Sequence, residues 1–238
     1  MTDNTKPLSG RTALVTGASR GIGAATAKAL AAAGVHVILV ARKVKALEAV
    51  EDEIHAGGGS STIAPIDLME PDAVTRLAGA IAGRWPTIDI MVLAAAYLPE
   101  LTPLSQVDPK QFNQALLTNV VATQALLSGF DPLLRRAPAG RIIGLTSSVG
   151  AVPRPYWGAY GSTKAAFENL LETYAGEVER LSPLRVAIID PGATRTEMRA
   201  RAYPGEDPAK VKAPEVVADR LVALLTEGFD TLHRERIA

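Results

Sequence analysis

Short apolar runs alternate with helical patterns along the chain, and this alternation constrains the fold more than any other feature. Six runs have the composition of β-strands: 11–17, 35–41, 61–68, 88–96, 140–148 and 184–192. The stretches between them favour helices, as in the alanine-rich segment 21–34. Segments 35–40 and 185–190 are apolar on both faces, as strands covered by helices on both sides must be. The pattern predicts an α/β fold with a doubly wound, mostly parallel sheet.

Length and charge favour one domain and exclude several kinds of partner. The 238 residues show no composition break or repeat, so we expect a single domain over 1–238, with 1–9 as a flexible polar arm. Lys plus Arg and Asp plus Glu both number 25, so electrostatics gives no reason to expect nucleic acid or an anionic membrane as partner. No stretch has the length of a membrane span, and "MTDNTKPLSG" lacks the apolar core of a signal peptide. A cytoplasmic location is therefore expected.

Cysteine and histidine usage excludes further chemistry. The chain has no cysteine, which rules out disulfides, thiolate catalysis and cysteine metal sites. Its three histidines, His36, His55 and His233, are scattered and lack the spacing of metal ligands. We therefore expect no metal site.

A glycine-rich turn, "TGASRGIG" at 16–23, directly follows the first predicted strand. Gly17 permits a sharp turn, Gly21 permits close approach of a ligand, and Gly23 lets the following helix pack on the sheet. Free N–H groups at that helix N-terminus favour an anion. The spacing is G-x-x-x-G-x-G, and a tight turn without any ligand is the alternative. Its place after the first strand favours a dinucleotide-binding turn.

Tyr160 and Lys164 lie one helical turn apart in "YGSTKAAFENL" and so face the same side of a helix. A phenol and an ammonium do not help each other to pack in an otherwise small, apolar helix. The alternative is a packed tyrosine beside a solvated lysine. The remaining motifs favour a catalytic pair.

The whole set of motifs resembles the short-chain dehydrogenase/reductase family. The resemblance runs from about residue 8 to residue 228 and rests on six motifs in order: "TGASRGIG", "IDL" at 66–68, "LLTNV" at 116–120, "GRIIGLTSSVG" at 140–150, "YGSTK" at 160–164 and "PGATRTEM" at 191–198. It implies a Rossmann-type fold and an NADP-dependent oxidoreductase, active on CH–OH and C=O groups. The substrate would be a small-molecule carbonyl or alcohol.

The resemblance also assigns four catalytic positions. The Tyr-x-x-x-Lys pair of the family matches Tyr160 and Lys164, its serine thirteen residues earlier matches Ser147, and its asparagine matches Asn119. Tyr160 would donate a proton to the substrate oxygen, which Ser147 polarises. Lys164 would bind the nicotinamide ribose and, together with the positive charge of the oxidised nicotinamide ring, lower the pKa of the phenol. Asn119 would link the lysine, through water, to a proton relay.

The expected cofactor is NADP(H), with NAD(H) less favoured. At the end of the second strand the chain has Ala41 and Arg42 where an NAD-binding protein carries an acid, and Arg20 lies in the glycine-rich turn. Both guanidinium groups would bind the 2′-phosphate, and no carboxylate is expected to compete for them. Solvated surface arginines are the alternative. The cofactor-binding residues implied are Gly17, Ser19, Arg20, Gly21, Ile22, Gly23, Arg42, Asp67, Leu68, Ala94, Tyr160, Lys164, Pro191, Gly192, Thr194 and Thr196.

Two departures from the family pattern bear on the fold. The family's Asn-Asn-Ala-Gly after the fourth strand reads Leu-Ala-Ala-Ala at 93–96, so the asparagines that brace the neighbouring strand are missing. The chain ends in "GFDTLHRERIA", without the family's terminal motif. We therefore expect the seventh strand to be reduced or absent.

Substrate binding and assembly follow from the resemblance in outline only. Tyr97, Tyr156 and Met198 are candidate substrate residues, although Tyr156 equally suits a surface position. Segment 197–213 matches the family's substrate lid and is expected to be mobile.

Helical regions 108–136 and 157–181 would pair two subunits, giving a homodimer, with a tetramer less secure.

Two alternative functions remain. One is a catalytically idle NADP-binding regulatory or scaffold protein of the same fold, although such relatives usually lose the tyrosine or lysine. The other is a sugar-nucleotide epimerase, which shares Tyr-x-x-x-Lys. Epimerases are longer and carry a larger substrate domain, so 238 residues argue against that function.

Overall fold

A seven-stranded sheet forms the centre of the protein, as described by a computed structural model for residues 6–238. The strands are β1 (Thr12–Thr16), β2 (His36–Ala41), β3 (Ser60–Pro65), β4 (Ile90–Leu93), β5 (Arg141–Leu145), β6 (Arg185–Asp190) and β7 (Leu232–Arg236). They lie in the order β3-β2-β1-β4-β5-β6-β7, and every neighbouring pair is parallel. This is the doubly wound Rossmann-type α/β fold that the alternating pattern predicts.

Nine α-helices connect the strands in the described part of the chain. They are α1 (Gly21–Ala32), α2 (Val44–Ala56), α3 (Ala73–Ala82), α4 (Pro109–Leu116), α5 (Ala122–Arg136), α6 (Ser148–Ala151), α7 (Gly158–Val178), α8 (Glu197–Ala202) and α9 (Pro214–Glu227). Short 3-10 turns occupy Leu104–Gln106 and Pro208–Lys210, and a π-helical segment, Leu117–Val121, joins α4 to α5.

Two apolar cores lie on opposite faces of the sheet. The core on one face joins inward residues of the strands to α1, α2 and α9, with Leu30, Leu47 and Leu221 fully buried. The other joins the strands to α3, α5 and α7 around Phe130 and Leu171. Since both faces are covered, the central strands consist almost entirely of apolar residues, which explains the continuous runs in the sequence.

The carboxyl ends of all seven strands meet at one edge of the sheet, because the strands are parallel. The chain leaves β1 and β4, which are neighbours, toward helices on opposite faces. Ligands of open parallel sheets bind in the crevice at such a switch point. The loops after β1, β4, β5 and β6 therefore frame the expected site.

The expectation of a reduced or absent seventh strand is wrong. Strand β7 pairs with β6 over five residues, from Val186↔Leu232 to Asp190↔Arg236. Its sequence, LHRER, looks unlike the inner strands because β7 is an edge strand whose residues alternate between exposed and half-buried. Its charges are paired: Arg220 of α9 binds Glu235 through two hydrogen bonds.

The N-terminal segment is folded where it is described. Residues 1–5 of the expected flexible arm lie outside the described residues. Leu8, however, is buried against the domain, and its N–H donates to the Ala33 carbonyl at 3.1 Å. Residues 6–9 therefore form a turn that closes the amino end of the first core.

Two kinds of feature are absent from residues 6–238. None of the helices in this range combines the length and hydropathy needed to cross a membrane. Within the same range, no three His, Asp or Glu side chains come together as a potential metal site.

Candidate active site

Helix α7 carries Tyr160 and Lys164 into the carboxyl edge of the sheet, and both side chains are buried. The helix approaches closely because its first turn contains Gly161. A Cβ at this position would lie 2.7 Å from the Val149 carbonyl oxygen of α6. Tyr160 thus lies outside the two main cores, in a smaller cluster at this edge of the sheet.

Lys164 is held by the strand that precedes Ser147. Its Nζ donates a hydrogen bond of 2.8 Å to the Leu145 carbonyl at the end of β5 and lies 4.5 Å from the centre of the Phe167 ring. Burial lowers the pKa of the ammonium to about 8, and the carboxylate of Glu168 opposes that change. The alternative of a solvated lysine is therefore wrong.

Tyr160 sits in a small apolar cluster with Leu98 and Val149. Burial raises the pKa of its phenol, and the nearby negative charge of Asp190 raises it further. The protein's own groups thus favour the neutral, proton-carrying phenol. The pKa of Tyr160 was expected to be lowered by Lys164 and the oxidised nicotinamide. The groups of the protein by themselves do not lower it.

Asn119 lies in the π-helical segment and is 1% exposed. Its Oδ1 accepts from the Tyr97 N–H at 2.8 Å, and its Nδ2 donates to the Tyr97 carbonyl at 3.0 Å and to the Thr163 hydroxyl at 2.9 Å. Since Thr163 lies beside Lys164 on α7, Asn119 ties the loop after β4 to helix α7. A π-turn at such a position is common at functional sites.

Ser147 follows β5 and is the N-terminal flanking residue of the short helix α6. It is half-buried, and its side chain makes no capping hydrogen bond to α6. The neighbouring Ser148 accepts instead from Arg154 of the following loop. The assignment of Ser147 rather than Ser148 to the site stays a prediction.

The glycine-rich turn brings the chain against the loop after β4. A Cβ on Gly17 would lie 2.8 Å from the Ala95 nitrogen, and Gly17 has a φ of +67°. A Cβ on Gly23 would overlap the Gly17 carbonyl. Both positions therefore need glycine, as the sequence predicts. No side chain caps helix α1, which leaves its first N–H groups for a ligand.

Thr16 compensates for the missing asparagines at 93–96. Its hydroxyl donates to the Val92 carbonyl at 3.3 Å and accepts from the backbone nitrogens of Ala94 and Ala95 at 3.1 and 3.2 Å. Leu93 fills the second core and is 3% exposed. The bracing between β1 and β4 thus comes from β1.

The two arginines assigned to the 2′-phosphate are both paired with carboxylates. Arg20 binds Glu197 at the start of α8, and Arg42 lies 3.8 Å from Asp67. The expectation that no carboxylate competes for them is wrong. The sequence does not predict these two carboxylate partners, because each is distant from its arginine along the chain. The side chains of Arg20, Glu197 and Arg42 are exposed, whereas that of Asp67 is only 28% exposed.

The remaining residues expected to bind cofactor lie along the same edge. Ser19, Gly21 and Ile22 are half-buried in the first turn, where a Cβ on Gly21 would lie 3.3 Å from the Thr196 side chain. Asp67 and Leu68 follow β3, and Asp67 accepts from the Met69 N–H at 3.1 Å. Ala94 directly follows β4. The last four residues lie in the loop after β6: Pro191, Gly192, Thr194 and Thr196.

Segment 197–213, the expected lid, reaches Tyr160 through Met198 and is held by contacts of Arg199 and Tyr203. Arg199 binds Glu206 through two hydrogen bonds of 2.6 and 2.5 Å and lies 3.6 Å above the Tyr203 ring. Tyr203 in turn contacts Trp157, with the two ring centres 5.9 Å apart. Part of the segment forms helix α8, and its expected mobility stays a prediction.

The three candidate substrate residues have different positions. The Met198 sulfur lies 4.0 Å from the Tyr160 hydroxyl, so this lid residue borders the expected reaction centre. Tyr97 is half-buried, with its backbone bonded to Asn119. Tyr156 is 60% exposed and has a φ of +71°, which favours its alternative assignment as a surface residue.

Sequence reasoning missed the residues that support the site. Thr16, Thr163 and Glu168 are buried polar side chains whose partners lie on other elements. The only signal in the sequence was a polar residue within an apolar strand or on the inner face of a helix. Such a residue predicts a hydrogen bond but not its partner.

Comparisons with known proteins agree with this architecture. The family model for short chain dehydrogenases matches residues 11–207. The Escherichia coli K12 protein YciK, named as an oxidoreductase, is 37% identical over 210 residues, covering 87% of this chain and 82% of YciK.

Two solved structures cover nearly the whole chain. A Pseudomonas syringae protein described as a short chain dehydrogenase superimposes with a TM-score of 0.92 at 38% identity, covering 97% of this chain and 96% of its own. A Shigella flexneri short chain dehydrogenase complexed with NADP gives 0.89 at 34% identity, covering 97% and 98%. The family model, these identities and the shared fold lead to one conclusion: the chain belongs to the short-chain dehydrogenase family.

Proposed function

We propose that the protein is an NADP(H)-dependent oxidoreductase that transfers a hydride between nicotinamide and a carbonyl/alcohol pair. The observation that carries the proposal is the buried Tyr160–Lys164 pair on α7 at the carboxyl edge of the sheet. Burying an ammonium is costly, and buried titratable groups with shifted pKa values are typical of functional sites, which supports a chemical role for the pair. The NADP complex of the Shigella flexneri relative supports the choice of cofactor.

The residues present fit such a cofactor. The positive-φ glycines of the first turn let its backbone pack closely against Ala95 and Thr196, and the uncapped α1 N-terminus offers N–H groups to a pyrophosphate. Arg20, in the turn after β1, and Arg42, directly after β2, would bind a 2′-phosphate after exchanging their carboxylate partners for it. When bound, the nicotinamide supplies or accepts the hydride.

The proton chemistry belongs to Tyr160. Its phenol carries a proton at neutral pH and would donate it to the oxygen of a carbonyl undergoing reduction, although burial raises the pKa and by itself makes the phenol a weaker acid. Ser147, whose side chain does not cap α6, would donate a hydrogen bond to the same oxygen. Lys164 would hold the ribose hydroxyls while remaining fixed by the Leu145 carbonyl.

Asn119 acts through its neighbours in this scheme. Both polar atoms of its side chain are bonded to Tyr97 and Thr163. We therefore assign Asn119 a positioning role, which keeps the loop after β4 and helix α7 in register. This role differs from the water relay that the family resemblance implies.

The substrate side is apolar. Leu98, Val149, Trp157 and Met198 surround Tyr160, so a small or medium carbonyl compound with an apolar body fits this part of the cleft. A panel of aldehydes, ketones, quinones, β-ketoesters and cyclic imines, each mixed with NADPH, tests the proposal. NADPH absorbance should fall with at least one carbonyl, and an equal amount of alcohol should form.

The panel also separates the rival function. An idle NADP-binding regulator would bind NADPH, as seen by its fluorescence, and would leave every carbonyl unchanged. The intact set of Asn119, Ser147, Tyr160 and Lys164 favours the enzyme. Binding without turnover across the whole panel would contradict the proposal.

We further propose a homodimer that pairs α5 and α7 with those of a second copy. Both helices have long apolar stretches, and Val121 at the start of α5 and Leu181 just after α7 are 52% and 64% exposed. Strand β7 provides an edge that a tetramer would use. Sedimentation at micromolar concentration should give at least a dimer; a monomer would contradict the assignment.

A further inference from the structure

Glu168 is a buried carboxylate one helical turn beyond Lys164, and the proposed chemistry does not use it. Its side chain is 9% exposed. Oε1 accepts a hydrogen bond of 2.5 Å from the Thr146 hydroxyl, and Oε2 accepts one of 2.9 Å from Arg234 of β7. A carboxylate is costly to bury even when it is paired, so its position beside the site calls for a reason.

The carboxylate packs beneath the turn that carries Ser147. Thr146, which binds Oε1, directly precedes Ser147. Gly150 lies on the other side of the serine, and a Cβ there would fall 2.8 Å from Oε1 and 3.1 Å from the Lys164 Cβ. Glu168 therefore touches the chain on both sides of Ser147, and any larger residue at position 150 would displace it.

The charges around Lys164 come from three elements. On α7 it faces the Tyr160 phenol and the Glu168 carboxylate; Asp190 at the end of β6 acts on that phenol; and Arg234 reaches Glu168 from β7. Arg234 also binds Glu172, on the exposed side of α7. Of these, Glu168 is the negative group that offsets the effect of burial on Lys164. Its negative charge favours the charged ammonium.

We propose that Glu168 is a positioning residue, which fixes the turn of Ser147 through Thr146 and keeps Lys164 charged, with Arg234 of β7 as its counterion. The inference rests on the proposed function for Ser147 and Lys164. It gives strand β7 a part in the site, although β7 contributes no residue to the reaction itself.

Two substitutions of opposite charge test the proposal. Glu168→Gln keeps the size of the side chain and removes a negative charge, so Lys164 should lose its proton at lower pH. The high-pH limb of kcat/KM should move down by roughly half a pH unit or more. Arg234→Gln removes a positive charge and should move the same limb up, by less, because Arg234 is 46% exposed.

Glu172→Gln is the matched control, since it removes a carboxylate that binds the same arginine outside the site. It should leave the limb within about 0.2 pH unit of the parent, because Glu168 and not Glu172 is the carboxylate that acts on the charge of Lys164. If the network were merely structural, both Glu168→Gln and Arg234→Gln would destabilise the site and would shift the high-pH limb of kcat/KM in the same direction. Opposite shifts with comparable melting temperatures support the proposal, and shifts of one sign, or none, overturn it.

A second measurement keeps the inference separate from the enzyme assignment. Lysine labelled with carbon-13 reports the titration of Lys164 by NMR, with the signal identified by its loss in Lys164→Arg. Opposite shifts of this signal in the two variants support the charge coupling even if no carbonyl is reduced, in which case only the proposed function fails. If Glu168→Gln does not fold, Arg234→Gln alone decides: an upward shift supports the proposal and an unchanged titration overturns it.

Discussion

The two ends of the proposed cofactor cleft are built differently. At the reaction end, Tyr160 and Lys164 are 6% and 2% exposed and held by backbone and packing contacts. At the phosphate end, the side chains of Arg20 and Arg42 are 68% and 57% exposed and bind carboxylates on the surface. One end is fixed before any ligand arrives. The other end must exchange protein partners for a ligand.

This difference sets the scale of the energies at each end. A charge pair about 4 Å apart interacts with roughly 1 kcal/mol in water and about 4 kcal/mol at the lower effective dielectric of a partly buried site. Exposed ion pairs are typically worth about 0.2–1 kcal/mol. Substitutions at Tyr160 and Lys164 should therefore have large effects that salt hardly changes. Substitutions at the arginines should have smaller, salt-dependent effects.

The largest effect is expected for Tyr160→Phe. The change removes the proton donor and almost no volume, so kcat should fall by roughly 10²–10⁴-fold while NADPH binding stays nearly intact. Steady-state kinetics on the best carbonyl of the panel and NADPH fluorescence titration measure the two quantities.

Tyr174→Phe is the control for this substitution. It removes the same hydroxyl from the same helix, where Tyr174 donates to Asp131 at 2.8 Å outside the site. Stability should fall by about 1 kcal/mol with turnover unchanged. Near-normal turnover of Tyr160→Phe would refute the assigned proton donor.

The same contrast explains what the sequence could predict. The reaction end depends on spacing within one helix, and Tyr160 and Lys164 show that spacing directly. The inner strands and the glycine-rich turn are likewise local patterns. The partners of the arginines are not local, since Glu197 lies 177 residues from Arg20. The same holds for Glu168 and Arg234, and for strand β7, whose charged sequence reflects its position at the edge rather than a lack of pairing.

Cofactor preference should be reversible at the phosphate end. Ala41→Asp combined with Arg42→Ser places a negative charge beside the 2′-phosphate and removes a positive one. The ratio of kcat/KM for NADPH over NADH should fall by about ten-fold or more, since charge-assisted contacts contribute about 1–3 kcal/mol.

Arg84→Ser provides the charge control for this swap, because Arg84 follows α3 at the opposite edge of the sheet. It removes one positive charge and should leave the ratio unchanged. Equal or better kcat/KM with NADH in the unmodified protein would show that the two arginines do not select the cofactor.

The burial of Lys164 should also appear in the pH dependence of stability. Its pKa is about 8 in the folded protein, against an ordinary value of 10.5. Between these values the unfolded state binds more protons, so raising the pH favours the folded state by up to about 1.4 kcal/mol per pH unit. Urea unfolding between pH 8 and pH 10 should therefore show the parent gaining stability relative to Lys164→Met.

Lys45→Met removes an exposed lysine of α2 and is the comparison. The difference in unfolding free energy between the parent and Lys45→Met should stay constant over the same pH range. A constant difference for Lys164→Met as well would mean that Lys164 is not buried as the structure places it.

The smallest expected effect is that of Glu197→Gln. This change removes the carboxylate that holds Arg20 and so frees the arginine for the 2′-phosphate. Because the pair is exposed, the gain should not exceed about 1 kcal/mol, so the Kd for NADPH should fall by at most about five-fold at low salt and return to the parent value at high salt. The Kd for NADH, which lacks the 2′-phosphate, should not change.

Glu215→Gln is the control, since Glu215 lines the same surface groove as Arg20 and forms no ion pair with it. Equal tightening of NADPH and NADH by Glu197→Gln would place Arg20 on a phosphate that both cofactors share, and would leave Arg42 alone to recognise the 2′-phosphate.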